Sequence, residues 1–182
     1  MTAIYEFKEA NHHRVPSIKM NNNVYKLNEV KLDIERSFAD APPPEFSEIV
    51  YDDSPRHLEG QWIRNSLAGC HWQKLTCADL LEHEASIYFM TPVAFRFFLP
   101  AYLICSLNPI EADAVADSII NSLSPPPLGV GTTEEFMSRI SLLQSDELSS
   151  VASFFRYFDT YHRDSYPDDI VHRSLEQFWS KY

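Results

Sequence analysis

Three groupings of residues in this 182-residue chain could do chemistry. Cys77, with His71 and His83 close by in sequence, has the makings of a thiolate–imidazole pair, because a helix N-terminus favours the thiolate. His162 and His172, with Asp168 or Asp169 between them, offer imidazole and carboxylate donors to a metal. No second His or Cys pair shows ligand spacing, however. Arg96 is the single charge between Ile87 and Leu107 and could hold an anion. It could equally stack on its aromatic neighbours and bond carbonyls or a carboxylate. Each grouping has a plain structural explanation: a buried thiol acts as a small hydrophobe, and acids at a helix start answer the helix dipole. We therefore expect no catalytic residue, no metal ligand and no cofactor, and read the chain as a non-enzyme.

The usual phosphate, zinc, calcium and nucleophile-elbow motifs are absent, and only four glycines exist to build a phosphate loop. The 26 acidic side chains against 15 Lys and Arg give a net charge of −11 and a pI near 5.0. That balance argues against gripping nucleic acid by its phosphates and against docking on an anionic membrane. Ile87–Leu107 is long enough to span a bilayer, but Arg96 and two prolines make it read as a buried central helix. Met1–Arg14 has no apolar core and does not read as a secretory signal. The three cysteines (Cys70, Cys77, Cys105) are an odd count without framework spacing. They are expected as thiols, each buried, in a cytoplasmic protein.

The elements that must position these residues read as mainly α: a single compact helical domain of seven or eight helices with little strand. Leu27, Val30, Ile34 and Phe38 make a helical stripe over Tyr25–Ala39, stopped by Pro42-Pro43-Pro44. A short extended piece is expected at Phe46–Tyr51, then a helix Leu58–Leu67 closed by Gly69. Thr76 with Asp79 caps a helix to Ala85. Thr91-Pro92 opens another to Leu107, which Pro100 should kink or split near Leu99. Further helices follow from Asn108-Pro109 to Leu123, from Thr132 with Glu135 to Leu143, from a Ser145 cap to His162, and from Pro167 to Lys181. The Asp146–His162 helix is apolar on two faces, which implies a place in the core or a covering partner. Residues 1–57 are read as an N-terminal arm, helix and acidic connection, and 58–182 as the helical core with a linker near 124–131.

The charge is unevenly spread. Residues 1–38 carry six basic and five acidic groups, so the deficit lies beyond them. One dense stretch is Asp40–Glu59, with Asp40, Glu45, Glu48, Asp52, Asp53 and Glu59 against Arg56 alone. A second, Glu111–Glu147, has seven acids against Arg139 alone. A charge run is ordinarily a solvated face, but the first stretch is proline-bounded and interleaved with Phe46, Ile49, Val50 and Tyr51. Aromatic anchors among carboxylates suit a basic protein partner. The expected partner-binding residues are Asp40, Glu45, Phe46, Glu48, Tyr51, Asp52, Asp53 and Glu59.

The run Thr91-Pro92-Val93-Ala94-Phe95-Arg96-Phe97-Phe98-Leu99-Pro100-Ala101-Tyr102-Leu103 resembles a pattern in a family of small, functionally uncharacterised bacterial proteins. The resemblance implies bacterial origin and a helical fold, with Thr91, Pro92, Phe95, Arg96 and Pro100 as architecture. In general character the chain also resembles immunity proteins, which neutralise toxins delivered by contact-dependent or type VI secretion. The expectation is therefore a cytoplasmic immunity protein that binds a toxin, in particular a basic nuclease effector. A small metal- or His/carboxylate-dependent enzyme and a non-enzymatic adaptor are the alternatives, and a homo-oligomer is left open.

Overall fold

The computed structural model describes residues 17–52, 54–108, 112–127, 133–166 and 169–182, with side chains from residue 26 onward. Eight α-helices are present among them: α1 Ser17–Ser37, α2 Leu58–Leu67, α3 Cys77–Glu82, α4 Pro92–Ser106, α5 Asp113–Leu123, α6 Thr133–Ile140, α7 Ser145–Tyr161 and α8 Ile170–Gln177. No β-strand occurs among the described residues; the nearest thing is a lone antiparallel bridge between Val50 and Met90. The fold is compact and all-helical, as expected.

α4 is the centre. Phe95, Phe97, Phe98, Leu99, Tyr102 and Leu103 are all essentially solvent-free, so the helix is buried around its whole circumference. It packs against α1, α3, α5 and α6. No helix of the described residues is long and apolar enough to cross a membrane. Thr91 accepts the Ala94 N–H at 3.3 Å and Pro92 takes the first helical position. The expected split at Pro100 does not occur; α4 runs unbroken through it. Packing on every side holds the helix although Pro100 supplies no N–H to the Arg96 carbonyl.

α1 lies along α7, burying Val30, Ile34 and Phe38, and Ser37 Oγ donates to Ser150 Oγ at 2.9 Å. It begins eight residues earlier than expected, since neither Pro nor Gly interrupts Ser17–Ser37. Of the two aromatic faces of α7, Phe154, Phe155, Tyr157 and Phe158 are buried, by α1 on one side and by α8 and the C-terminal turn on the other. The core alternative accounts for both stripes, although Tyr161 at their end stays exposed.

Several boundaries differ from expectation. Phe46–Glu48 is a 3₁₀ turn rather than an extended piece. α3 stops at Glu82 and gives way to a 3₁₀ turn over Glu84–Tyr88. α5 starts at Asp113, α6 ends at Ile140, and a 3₁₀ turn over Trp179–Lys181 follows α8. The cap of α7 is Gln144, not Ser145, because Glu147 at the third helical position bonds back to the Gln144 N–H at 2.7 Å. The expected Thr132 and Pro167 starts, like residues 128–131 of the expected linker, lie outside the described residues.

The cysteines overturn one expectation. Cys77 at the start of α3 and Cys105 near the end of α4 form a disulfide, with Cα atoms 5.4 Å apart. Cys70 is the free thiol. Cys77 is moreover exposed and Cys70 half-buried; Cys105 alone of the three is buried. The pairing joins two helix ends brought together by tertiary packing, which sequence spacing does not encode.

Candidate partner-binding face

The acidic connection is irregular chain with one 3₁₀ turn, fastened at several points. Glu48 bonds back to the Glu45 N–H at 2.9 Å and steadies the 3₁₀ turn. The Thr91 hydroxyl donates to the Glu48 carbonyl, the Thr91 N–H to the Ile49 carbonyl at 3.2 Å, and the Tyr51 N–H to the Phe89 carbonyl at 3.1 Å. Ile49 and Val50, two consecutive residues, are buried beneath and anchor the segment to the core. The end of the connection meets α2. The Asp52 carboxylate accepts the Ser54 N–H at 2.9 Å, Gln61 Nε2 donates to the Ser54 carbonyl at 2.7 Å, and His57 Nδ1 accepts the Gly60 N–H at 2.9 Å. A Cβ at Gly60 would come within 2.0 Å of the Asp52 carbonyl oxygen, so only glycine allows this approach.

What remains outward is polar and aromatic. Asp40, Glu45, Glu48, Asp52 and Glu59 are exposed, as are Phe46 (53%) and Tyr51 (65%). Asp53 lies outside the described residues. Hydrogen bonds from Ser54 hold the Asp52 carboxyl below the usual carboxylate range, so it stays ionised at neutral pH. The Arg64 guanidinium lies 4.5 Å from the centre of the Phe46 ring and fixes that ring against α2. Tyr51 has different company: a groove of about 470 Å³ lined by Tyr51, Tyr88, Glu134, Glu135, Ser138 and Arg139. The structure thus brings together an interior part of each acidic stretch.

Two exposed apolar residues escaped the sequence reading. Leu58 and Trp62, one turn apart on α2, face away from the buried Gly60, Ile63 and Leu67. Their i, i+4 spacing opposite the core stripe was the available signal. Trp62 stacks on His83, ring centroids 4.2 Å apart, and His83 is buried below it with its pKa lowered by desolvation.

The other groupings are occupied. Cys77 is bonded to Cys105 and presents no thiolate. His172 meets Asp159 at 3.1 Å through Nδ1 and Glu176 at 3.3 Å through Nε2. Asp168 lies outside the described residues, and Asp169, in the left-handed region at φ 50°, meets Arg163 at 3.3 Å. No cluster of three or more His, Cys, Asp or Glu able to hold a metal occurs among the described residues. Arg96 Nε donates to both oxygens of Glu147 at 2.9 Å. The Glu147 side chain is 1% exposed, and burial pushes its carboxyl upward against the pull of the Gln144 N–H and Arg96. Of the other motif residues, Thr91 caps α4, Pro92 opens it, and Phe95 and Pro100 are buried within it.

No curated protein and no solved structure matches the chain. The sequence profile of a family of unknown function, DUF6714, matches residues 26–182, from within α1 to the last residue. The chain therefore belongs to the DUF6714 family.

Proposed function

We propose that the protein is a bacterial immunity protein, a non-enzymatic module that neutralises a secreted toxin, in particular a basic nuclease effector, by stoichiometric binding. The observation that carries this reading is the pair of exposed rings, Phe46 and Tyr51, held on a fastened backbone among exposed carboxylates. A fastened surface loses little conformational entropy on binding. A nuclease holds phosphates with Lys and Arg, so carboxylates at fixed places steer it, and the rings supply short-range anchors. Metal, cofactor, nucleic acid and membrane have no part in this reading. It places the protein in the cytoplasm, where thiols are kept reduced. Cys77 and Cys105 are then separate thiols in the living cell and join on oxidation.

The test is co-expression with the product of the neighbouring gene. Growth rescue and a 1:1 complex are expected. Replacing Glu48, Asp52 and Asp53 by Gln, Asn and Asn should weaken low-salt affinity at least tenfold. Unchanged affinity would overturn the assignment of the face. A gene neighbourhood without a toxin, together with no stoichiometric partner in pull-downs, would overturn the immunity reading itself.

A further inference from the structure

We propose that the groove between Tyr51 and the first turn of α6 seats one arginine or lysine side chain of the basic partner. The inference rests on the immunity reading and adds a second half to its docking surface, drawn from a segment more than 80 residues away in sequence. The walls are Tyr51 and Tyr88, both with exposed rings, and the rim carries Glu134 and Glu135, both exposed. Neither glutamate forms an ion pair among the described residues.

Arg139, the one cation in the groove, is otherwise engaged. Its Nη1 donates to the Ser122 carbonyl at 2.9 Å, and its guanidinium lies 5.8 Å from the centre of the Tyr88 ring and 6.0 Å from that of Phe95. Tyr88 is held in turn by its hydroxyl, which donates to the Ser118 carbonyl at 3.0 Å. The groove therefore keeps two carboxylates against one bound cation, an excess of one negative charge, and one open ring, that of Tyr51. Aromatic faces beside carboxylates form a seat for a cationic side chain, and a guanidinium over Tyr88 shows the ring in that role already. The volume of about 470 Å³ admits one such side chain with its water.

The experiment needs no partner. Acetyl-arginine amide is titrated into the intact protein while the aromatic NMR resonances of Tyr51 and Tyr88 are followed, with the neutral acetyl-citrulline amide as control. Saturable shifts at both tyrosines with the arginine probe alone are expected. Affinity should fall at least tenfold in the Glu134→Gln/Glu135→Gln variant, fall likewise in Tyr51→Ala, and persist in Tyr51→Phe. All these side chains are exposed, and an unchanged thermal melt verifies that the variants fold. Equal responses to both probes, no saturable response, or shifts indifferent to the glutamate changes would each overturn the proposal. If a toxin is neutralised with full affinity by the glutamate variant, the groove assignment fails while the immunity reading stands.

Discussion

Two regions of this protein use the same residue types to opposite ends. At the seam where Arg96 of α4 reaches Glu147 of α7, the carboxylate is almost wholly buried and both its oxygens are hydrogen-bonded. On the face formed by the acidic connection, α2 and α6, carboxylates and rings stand in water although the backbone beneath them is fastened. The seam is closed and self-sufficient, whereas the face is ordered and exposed. Burial, and not residue type, separates the two regions.

The contrast predicts a descending series of effects. Glu147→Ala strands the Arg96 guanidinium and uncaps α7. A loss of about 3 kcal/mol is expected, near the low end for a broken buried pair because Arg96 keeps some solvent contact. Arg96→Met with Glu147→Leu should recover part of it, and denaturant melts of the three proteins measure the difference. A single variant with less than about 1 kcal/mol of effect would break the contrast at its closed end.

Reduction of Cys77–Cys105 comes next. It removes a 28-residue crosslink between α3 and α4, with an expected cost of about 2–4 kcal/mol, read as a drop in melting temperature on adding dithiothreitol. Cys77→Ser/Cys105→Ser should melt where the reduced protein does and ignore the reductant.

Gly60→Ala sharpens the comparison, because it acts on the fastening of the outer face and leaves the seam alone. The added methyl group meets the Asp52 carbonyl and the His57 ring, and a cost of roughly 1–3 kcal/mol is expected. Faster amide exchange should be confined to the connection and α2, and exchange spreading equally into α7 would contradict it.

Glu48→Gln with Asp52→Asn should change stability least, leaving the melting temperature essentially where it was, while reducing salt-dependent association with a basic partner. The Asp52 substitution weakens one acceptor of a local turn and exposes nothing buried. A large stability loss would show the face to be structural.

Local signals in the sequence marked much of the fold. Thr91-Pro92, the Thr76–Asp79 box and Gly69 each act within one helical turn, and the structure uses all three as expected. Where two local signals compete, the reading failed: Ser145 was the better intrinsic cap, but Glu147 selects Gln144 by bonding back to it. What depends on tertiary packing was not readable. The 28-residue separation of Cys77 and Cys105 follows no framework rule, and nothing in the chain pairs Tyr51 with Glu134 until α4 and α6 have packed. Composition alone locates the carboxylates of the connection, and the structure leaves Asp40, Glu45, Glu48, Asp52 and Glu59 exposed. Leu58 and Trp62 were passed over because their stripe is judged outward only once the core stripe of α2 is known.

The bond between Ser37 and Ser150 spans 113 residues, and it marks the seam where α1 lies on α7. During synthesis at about 5–20 residues per second, α1 leaves the ribosome roughly 6–20 seconds before the helix that covers it exists. For the later part of that interval only α4, which also packs on α1, is there to shelter the apolar edge of Val30, Ile34 and Phe38. The first described helix to be made is thus among the last to be fully sheltered, and the pace of translation becomes part of how this chain folds.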